Sequence, residues 1–559
     1  MMWSKWAPGL EQFGGYQRSW LRGDVVAGLT VAAYLVPQVM AYATVAGLPP
    51  VVGLWAALLP LAVYAVLGSS RQLSSGPEST TALMTAAALA PLAVGDPGRY
   101  AALAAVLGLL VGAMCLLGGL VRLGFLADLL SRPVLVGYMS GVAIILIASQ
   151  LGKLTGVAVK GEEFVALIRS FGSELHQAHW PTVALSAAVL AALVLLAWWV
   201  PRAPGPLIAM LAATAAVSVF SLDHSGIRVV GQIPGGLPVP GVTGIPLTDL
   251  VALLVPAGGI AIVAFSDNVL TARTFAARKG QYIDANAELR ALGVSNLGAG
   301  LAHGFPVSCS GSRTAVGDAV GSRTQLYSVV TLVVLVIVML TARGMLAMFP
   351  TAALGALVVY AAARLVDVRE FRRLARFRRS ELILALATAA AVLGLGVLYG
   401  VLAAIGLSIA DLLRRVARPH DSVLGFVPGV AGMHDIEDYP DANPVPGLLV
   451  YRYDAPLFFA NAENFRTRAM AAVDDNPVPV QWFVLNAEAN VEVDLTALDA
   501  VDQLRMDLER RGIVFAMARV TWHLREALEA AGLLTKIGES RIFMTLPTAV
   551  EAYRNRGTA

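Results

Sequence analysis

Gly76-Pro77-Glu78-Ser79-Thr80 and Cys309-Ser310-Gly311-Ser312-Arg313-Thr314 are the two stretches that decide the predicted fold. Each is rich in glycine and hydroxyl residues and interrupts a hydrophobic segment that would otherwise resemble a bilayer-spanning helix. They occupy corresponding places in the two halves of a very hydrophobic region. Paired broken helices are typical of inverted-repeat secondary transporters, which bind their substrate near the membrane midplane between the half-helix ends.

The same stretches predict the charge of the substrate. The N-terminal end of a helix carries a partial positive charge and unpaired N–H groups, so two such ends at one site favour an anion. A desolvated anion needs several donors and a full positive charge. Arg313 offers that charge, and the hydroxyl donors of the predicted anion site are Ser79, Thr80, Ser310 and Ser312.

Composition places most of the chain in a membrane. The 559 residues are 57% hydrophobic and only 14% charged, with a mean hydropathy of +0.69. A soluble protein carries roughly a quarter charged residues. The segment Val25–Ser70 contains no charged residue or histidine, and several later runs of about 20 residues are equally apolar, which is the length that spans a bilayer.

Net charge changes sign near His420. Residues 1–419 carry 29 basic and 18 acidic side chains, a net of +11, whereas residues 420–559 carry 12 and 20, a net of −8. This indicates a second, water-soluble domain. We expect a leader at 1–23, a transmembrane domain at 24–418, a linker at 419–445 and a tail domain at 446–559.

The basic loops predict the orientation in the membrane. Arginine and lysine concentrate around Arg71, Arg122, Arg132, Arg273 and Lys279, and in the run Arg364–Arg379. By the positive-inside rule these loops face the cytoplasm. The assignment alternates consistently with about 14 spans in two sets of seven and with both termini in the cytoplasm. The fold class is therefore a polytopic α-helical membrane protein with a cytoplasmic α/β domain.

Ionisable residues inside spans are functional candidates because each is costly in hydrocarbon. Asp267, at the end of an apolar stretch, is interpreted as the binding site of a coupling proton or sodium ion. The alternative is that it is a helix-end carboxylate paired with Arg273. Glu78 either contributes to the substrate site or only caps its helix. Arg313 is interpreted as the positive charge of the anion site, and the alternative is a loop arginine or one whose side chain snorkels to the membrane surface.

Gln38 and Tyr42 bring polar groups into the first span. They either contact the substrate or serve helix packing. The two cysteines, Cys115 and Cys309, lie in apolar or pore-like stretches and indicate neither a disulfide framework nor a metal site. Apart from a coupling proton or sodium ion, no cofactor is expected.

The tail alternates short strands with amphipathic helices from Gly447 onward, which predicts a small α/β layer domain. It has no phosphate-loop motif, catalytic triad pattern or metal-ligand spacing. An interaction or regulatory module with a cytoplasmic partner is therefore favoured over a second enzyme, and no nucleic-acid partner is expected.

The chain resembles the SulP family of anion transporters. The residues that carry the resemblance begin with Ala27-Gly28-Leu29-Thr30, Pro37-Gln38-Val39-Met40-Ala41-Tyr42-Ala43, Ala46-Gly47-Leu48-Pro49-Pro50 and Leu67-Gly68-Ser69-Ser70-Arg71. They continue with Gly76-Pro77, Asn286-Ala287-Glu288-Leu289, Ser312-Arg313-Thr314-Ala315 and Arg323-Thr324-Gln325. The tail resembles the sulfate-transporter and anti-sigma-factor-antagonist (STAS) domain, with Val493-Asp494-Leu495-Thr496-Ala497-Leu498 at its signature turn.

This resemblance, most similar to mycobacterial and related actinobacterial members, implies a uracil-permease-like fold of seven-plus-seven inverted repeats. It implies a mobile core domain, a gate domain that usually dimerises, and a cytoplasmic tail. The family's anion site, between the third and tenth spans, maps to Glu78–Thr81 and Ser310–Thr314. The acidic coupling position maps to Asp267, where many members carry glutamate. Thr496 occupies a turn position, next to Asp494, that is a phosphorylatable serine in some members.

The resemblance favours sulfate as the substrate, with bicarbonate next, in cation-coupled transport by alternating access. The residues alone do not separate sulfate from bicarbonate, chloride or a dicarboxylate, because hydroxyls, helix dipoles and one arginine serve all four. Two other functions compete with it. A nucleobase permease of the same fold would bind its substrate through carboxylate acceptors, and Ser312 and Arg313 instead offer donors. A membrane-anchored regulator that no longer transports is disfavoured by the intact pair of broken helices. None of these three functions is enzymatic.

Overall fold

Helix ends in the hydrophobic region coincide with its proline, glycine and acidic residues. Proline stands in the first turn of several helices, where its missing N–H costs nothing. The structure is a computed structural model that describes residues 7–93, 96–128, 131–159, 164–200, 203–234, 236–241, 246–277 and 279–557, so the first six residues of the predicted leader lie outside it. The chain divides into two units, Met1–Ser408 and Ile409–Ala559.

The first half of the hydrophobic region contains nine helices and one short strand in its described residues. In chain order they are α1 (Pro8–Gly14), α2 (Leu21–Val45), α3 (Pro50–Leu67), β1 (Ser75–Gly76), α4 (Ser79–Leu89), α5 (Pro97–Leu120), α6 (Arg132–Thr155), α7 (Phe164–Glu174), α8 (Trp180–Trp199) and α9 (Gly205–Val219).

The second half repeats the arrangement of helices around one short strand. Its elements are α10 (Leu247–Ala277), α11 (Ala285–Leu301), β2 (Ser308–Cys309), α12 (Gly311–Val320), α13 (Leu326–Thr341), α14 (Arg343–Ala347), α15 (Thr351–Ala363), α16 (Val368–Phe377) and α17 (Arg379–Ala417).

Eight helices of the described chain are long and apolar enough to cross a bilayer, and α4, α9 and α13 are shorter apolar helices. The predicted polytopic membrane protein is thereby confirmed. Helix α17 is broken at Gly396, whose φ of 79° and ψ of 171° lie outside the helical range. The count of 14 spans stays a prediction.

Helices α5 and α11 pack closely through glycine. A Cβ atom on Gly112 would lie 2.6 Å from the backbone nitrogen of Leu297, and one on Gly293 would lie 2.6 Å from that of Leu116. Small residues let helix backbones approach in a membrane, where the hydrophobic effect does not drive helices together. This close contact holds α11 against α5, and β2 is the next element of the chain after α11.

The two interrupted stretches meet as an antiparallel pair of strands. In β1 and β2, Ser75 is opposite Cys309 and Gly76 is opposite Ser308. The Ser310 N–H also donates to the Ser74 carbonyl at 2.9 Å. Helices α4 and α12 begin directly after these strands, so the pairing brings their N-terminal ends to one place.

The tail unit is built on a six-stranded sheet with strand order β4-β3-β5-β6-β7-β8. Strands β5 to β8 run parallel, and β3 is antiparallel to both of its neighbours. The strands are β3 (Asp421–Phe426), β4 (Met433–Asp435), β5 (Leu448–Tyr453), β6 (Trp482–Asn486), β7 (Val514–Ala518) and β8 (Ile542–Phe543).

Five helices cover the two faces of this sheet. Along β5, Leu449 and Tyr451 pack with α18, α19, α20 and α21, while Leu448 and Val450 pack with α22 on the opposite face. This is the alternation that a strand buried on both faces requires. The helices are α18 (Ala462–Asp474), α19 (Leu495–Arg510), α20 (Trp522–Ala530), α21 (Leu533–Ile537) and α22 (Leu546–Arg554).

The segment 419–445, expected to be a linker, differs from that expectation. It contains β3 and β4, and β3 pairs with β5 from Asp421 opposite Tyr453 to Leu424 opposite Val450. The physical reason is that β5 is a buried strand whose edge needs a hydrogen-bonding partner. Leu424 also joins the core on one face of the sheet. The tail domain therefore begins at least as early as Asp421.

Candidate anion site

A cavity of about 510 Å³ lies where the first turns of α4 and α12 meet α2 and α10. Seven of the residues predicted to bind substrate line it, together with the predicted coupling residue Asp267. These substrate residues are Gln38, Tyr42, Glu78, Ser79, Thr80, Ser310 and Ser312. The structure thus brings together groups that stand more than 200 positions apart in the chain.

Glu78 caps the first half-helix. Its Oε2 accepts from the Thr80 N–H at 2.6 Å, and the Ser79 hydroxyl donates to its Oε1. Glu78 has the extended backbone of an N-cap and also lines the cavity. The capping interpretation and the cavity interpretation are therefore compatible, and the positive end of α4 already has a carboxylate beside it.

Ser310 caps the second half-helix without bringing a charge. Its hydroxyl accepts from the Arg313 N–H at 3.4 Å and lies 3.1 Å from the Ser312 hydroxyl. Both hydroxyls line the cavity. The positive end of α12 thus faces the cavity with two hydroxyl groups, which can donate to an oxyanion.

Arg313 occupies a different place from the one the sequence predicts. Its side chain is fully buried, and it is not one of the described residues that line the cavity. It donates from Nη1 to the Pro77 carbonyl at 3.0 Å and from Nε to the Ser74 hydroxyl at 3.3 Å. The guanidinium therefore joins α12 to the segment that leads into α4, so it is not a snorkelling arginine.

The remaining nitrogen of Arg313, Nη2, is buried and has no hydrogen-bond partner among the described residues. A Cβ atom on Gly76 would lie 3.4 Å from it, so this nitrogen sits against the Gly76 backbone. Leaving a charged donor unpaired in a membrane interior is costly. A bound anion or a water molecule that reaches this nitrogen would supply the missing acceptor.

Asp267 lies on α10 opposite the second strand. The Cys309 thiol donates to its Oδ2 at 3.6 Å, and the side chain reaches the cavity. The neighbouring Ser308 hydroxyl donates to the Ala264 carbonyl of the same helix at 3.2 Å, which holds β2 against α10. Arg273, the alternative partner from the sequence, is not among these contacts of Asp267.

Gln38 and Tyr42 are buried on α2, one turn apart on the cavity side. Gln38 directly follows Pro37, and a proline inside a helix removes one backbone hydrogen bond. The Gln38 Oε1 atom has no hydrogen-bond partner among the described residues. This arrangement leaves polar groups of α2 available to a bound ion or water.

Sequence reasoning missed the arginine that does line the cavity. Arg364, at the end of α15, lines it together with Tyr34 and Tyr360. Its guanidinium lies 5.7 Å from the centre of the Tyr360 ring and donates to the Tyr360 hydroxyl at 3.3 Å. The sequence placed Arg364 in a basic loop, because nothing in the local pattern shows that the loop begins beside the cavity.

Sequence reasoning also missed the buried carboxylate of Glu288 on α11. It accepts from the Tyr64 hydroxyl at 2.8 Å, from the Ser69 N–H and hydroxyl at 2.8 and 2.7 Å, and from the Asn268 amide at 2.7 Å. These donors come from α3, the segment after it, and α10. A buried charge with this many donors organises its surroundings, and Glu288 thereby fixes the helix that carries Asp267.

The tail turn has the geometry of a helix N-terminus. Asp494 caps α19 by accepting from the Ala497 N–H at 2.8 Å, and it also accepts from the Phe459 N–H at 2.8 Å. Thr496 is exposed in the first turn of α19. A phosphate at a helix N-terminus is electrostatically favoured, so the exposed hydroxyl stands where a modification would be tolerated.

The comparisons with known proteins agree with this arrangement. The sulfate permease family matches residues 21–388, and the STAS domain matches residues 439–549. The chain belongs to the sulfate permease family. Its cavity, half-helices and paired strands are therefore those of a family member, and the resemblance inferred from the sequence is confirmed.

Its relatives include proteins from bacteria and plants. A probable sulfate transporter of Mycobacterium tuberculosis is 70% identical over 551 residues, which are 99% of this chain and 98% of that protein. A probable sulfate transporter of Arabidopsis thaliana is 31% identical over 558 residues, covering 96% and 82%. The mycobacterial resemblance expected from the sequence is thus confirmed over nearly the full length.

Solved structures share the fold. The murine Solute Carrier 26 family member A9 anion transporter, in the inward-facing state, superposes with a TM-score of 0.88 at 22% identity, covering 98% of this chain and 93% of that one. The transmembrane domain of a cyanobacterium bicarbonate transporter superposes with a TM-score of 0.61 at 23% identity, covering 70% and 98%. The predicted combination of a polytopic membrane domain and a STAS domain is confirmed.

Proposed function

We propose that this protein transports sulfate across the bacterial plasma membrane, with the anion bound between the first turns of α4 and α12. The observation that carries the proposal is the convergence of two helix N-termini and their hydroxyl residues on one cavity, at a half-helix whose Arg313 keeps one buried guanidinium nitrogen without a partner among the described residues. Oxyanions are well suited to such sites because hydroxyl and N–H donors replace their hydration shell. The names of the bacterial and plant relatives favour sulfate over other anions.

The proposed transport is coupled to a cation held by Asp267. The cavity carries two carboxylates, Glu78 and Asp267, as well as the cation Arg364. A divalent anion moving through a low-dielectric site is costly unless its charge is offset. A proton or sodium ion taken up at Asp267 offsets part of that charge, and movement between outward-open and inward-open states then carries both ions together.

The experiment is uptake of radiolabelled sulfate into proteoliposomes of the purified protein. We expect uptake above that of protein-free liposomes, with competition by unlabelled sulfate stronger than by bicarbonate, chloride or succinate. Uracil belongs among the competitors, because Glu78 and Asp267 are acceptors that a nucleobase could use. Strong competition by uracil would support a nucleobase permease, and absence of any flux would support a regulator that no longer transports.

Coupling is tested by imposing a pH gradient and a sodium gradient separately on the same vesicles. We expect one of the two gradients to accelerate uptake and the other to leave it unchanged. Equal rates with and without both gradients would show that the anion moves uncoupled, and the role of Asp267 would then be withdrawn.

The chain is further proposed to be a homodimer with both termini in the cytoplasm. The basic residues that support this orientation include Arg71, Arg132 and Lys279. Cysteines are introduced one at a time at Arg71 and at Gly236, which the proposed orientation places in an outward-facing loop. Reaction with a membrane-impermeant maleimide on intact cells checks the orientation. Only the second should react. Light scattering of the purified protein determines the mass of the assembly.

The tail is proposed to regulate transport through a cytoplasmic partner at its signature turn. Support comes from the exposed position of Thr496 in the first turn of α19, beside the Asp494 cap. A Thr496→Glu variant, compared with Thr496→Ala, should change flux in proteoliposomes only when the partner is present. If the two variants transport identically in cells, this part of the proposal fails.

A further inference from the structure

A basic amphipathic helix, α16, lies between two apolar helices of the membrane unit. Helix α15 ends at Ala363, α16 runs from Val368 to Phe377, and α17 begins at Arg379. The few residues on either side hold α16 within one or two helical turns of the hydrocarbon boundary. The short connections to α15 and α17 therefore place α16 at the membrane surface.

The two faces of α16 differ strongly in polarity. Val368, Phe371, Leu374 and Phe377 recur every third residue, and Leu374 is buried. Val368 and Phe377 nevertheless expose 54% and 66% of their surface. Apolar side chains exposed beside a bilayer are typical of a helix whose apolar face rests at the boundary between headgroups and acyl chains.

The other face carries arginines around a depression of about 650 Å³. The start of α6 contributes Arg132 to its wall, and α16 contributes Arg369, Arg372, Arg373 and Arg376. Glu370 and Glu381 are the acidic residues of the same wall, so the five arginines leave a net positive charge of three.

Only part of this positive charge is used within the protein. Glu370 lies 2.8 Å from Arg132 and 3.4 Å from Arg373, which pairs both of those arginines. No ion pair or hydrogen bond to the described part of the chain involves the side chains of Arg369, Arg372 or Arg376. Three guanidinium groups therefore surround a depression at the membrane surface with their donors available.

We propose that this depression binds the phosphate headgroup of an anionic phospholipid. Guanidinium groups recognise phosphate through paired N–H donors, and basic clusters on amphipathic helices at a membrane surface attract anionic lipids. The exposed apolar residues Ile383 and Leu386, in the first turns of α17, provide a surface for the acyl chains next to the arginines. A free phosphate or sulfate ion would make no use of that surface.

A lipid in the depression would contact two elements of the membrane unit. Glu370 ties α16 to Arg132 at the beginning of α6, and both elements line the depression. Helix α6 in turn packs on α15. An anionic lipid in the depression therefore stabilises the fold of the membrane unit, which thermal unfolding measures.

The test titrates phosphatidylglycerol into the full-length protein in dodecyl maltoside micelles and follows its thermal unfolding. Phosphatidylglycerol should raise the unfolding temperature and phosphatidylcholine with the same acyl chains should not. The Arg372→Gln/Arg376→Gln variant should need about 25-fold more phosphatidylglycerol for half the effect, because each basic residue near an anionic surface contributes about a factor of five. Both arginines are exposed, and glutamine keeps helix propensity.

The matched control is Arg414→Gln/Arg418→Gln, which removes the same charge at the end of the last apolar helix. It should respond to phosphatidylglycerol like the wild type. A parallel titration with inorganic phosphate distinguishes a lipid site from a free-anion site. Arg369→Gln alone provides a milder variant, with a shift of about fivefold expected.

Three results would overturn the proposal. The first is an unchanged phosphatidylglycerol response in both α16 variants. The second is an equally weakened phosphatidylglycerol response in the Arg414→Gln/Arg418→Gln control. The third is that inorganic phosphate stabilises the wild type as well as the lipid does, with the same dependence on the arginines. None of these results bears on sulfate uptake, so the lipid site and the proposed transport function fail separately.

Discussion

The two half-helices at the cavity have the same backbone design and opposite charges. Each begins after a two-residue strand and is capped by its own N-cap side chain. The cap of α4 is the carboxylate Glu78, whereas the cap of α12 is the hydroxyl Ser310, with Arg313 three residues later. The comparison teaches that two half-helices can share one backbone geometry while one half carries a cation and the other a carboxylate at its cap.

Removal of Arg313 should break this arrangement most severely. In Arg313→Ala, the Pro77 carbonyl and the Ser74 hydroxyl lose their donor and the site loses its buried cation. Removing one partner of a buried charged interaction costs about 3–5 kcal/mol, so sulfate flux should fall at least about a hundredfold. Initial uptake rates in proteoliposomes measure it.

The control is Arg364→Ala, which removes an exposed cation that lines the cavity. Its flux should fall less, by about fivefold, because an exposed charge interacts through water. If sulfate flux falls more in Arg364→Ala than in Arg313→Ala, Arg364 is the cation that balances the charge of the substrate. The proposed role of the second half-helix would then be wrong. Size-exclusion chromatography checks that both variants remain folded.

Asp267→Asn should sharpen the comparison by separating coupling from binding. The substitution keeps an oxygen beside the Cys309 thiol and removes the negative charge. Acceleration of uptake by the coupling gradient should disappear, while exchange of internal for external sulfate continues because the loaded carrier still reorients. Asp249→Asn, on the same helix but paired with Arg99 outside the cavity, should keep the response to the gradient. An unchanged gradient response in Asp267→Asn would leave Asp267 as a helix-end carboxylate.

Glu78→Gln should make the first half-helix resemble the second. Glutamine retains an oxygen for the Thr80 N–H, so the cap persists while the charge is lost. With less repulsion the KM for sulfate should fall by about tenfold, which corresponds to about 1.4 kcal/mol. Concentration dependence of initial uptake measures it. A raised KM would mean that the Glu78 carboxylate stabilises the bound complex, for example by holding the cation.

Gly76→Ala should have the smallest effect and should be confined to one half. Gly76 has a φ of +148°, which disfavours residues with a side chain, and its added Cβ would lie 3.4 Å from Arg313 Nη2. Strain of this kind costs about 1 kcal/mol, so thermal unfolding should shift down by a few degrees. Gly311→Ala is the matched control, since a Cβ there meets nothing within 4 Å. Equal shifts would show that the strands tolerate alanine equally.

The sequence predicts the location of the site well because its signals are local. Glycine, proline and hydroxyl residues interrupt a helix wherever they cluster in an apolar run, and Glu78 and Ser310 are residue types that cap helices. The tail shows the same success. Its strands Leu448–Tyr453 and Trp482–Asn486 belong to the short strands predicted from Gly447 onward, because runs of apolar, β-branched and aromatic residues mark them.

What the sequence could not predict depends on contacts between distant segments. The direction of the Arg313 side chain is set by the Pro77 carbonyl, and the place of Arg364 is set by the packing of α15 on α2 and α6. The donors around Glu288 come from three segments. The sequence predicts a linker where β3 lies, because the short, mixed sequence of this strand gains its stability from pairing with β4 and β5.

The pairing of β1 with β2 also constrains how the protein is made. Arg313 and Ser74 stand 239 positions apart in the chain. At about 5–20 residues per second, the ribosome needs roughly 12–50 s to travel that distance. Throughout this time Ser74 and Ser75 have left the ribosome without the residues of the second half that later pair with them. Neither repeat can therefore complete a site alone. A chain cut between α9 and α10 should give two fragments that become competent only after they associate, so assembly of the membrane unit is a late, concerted step.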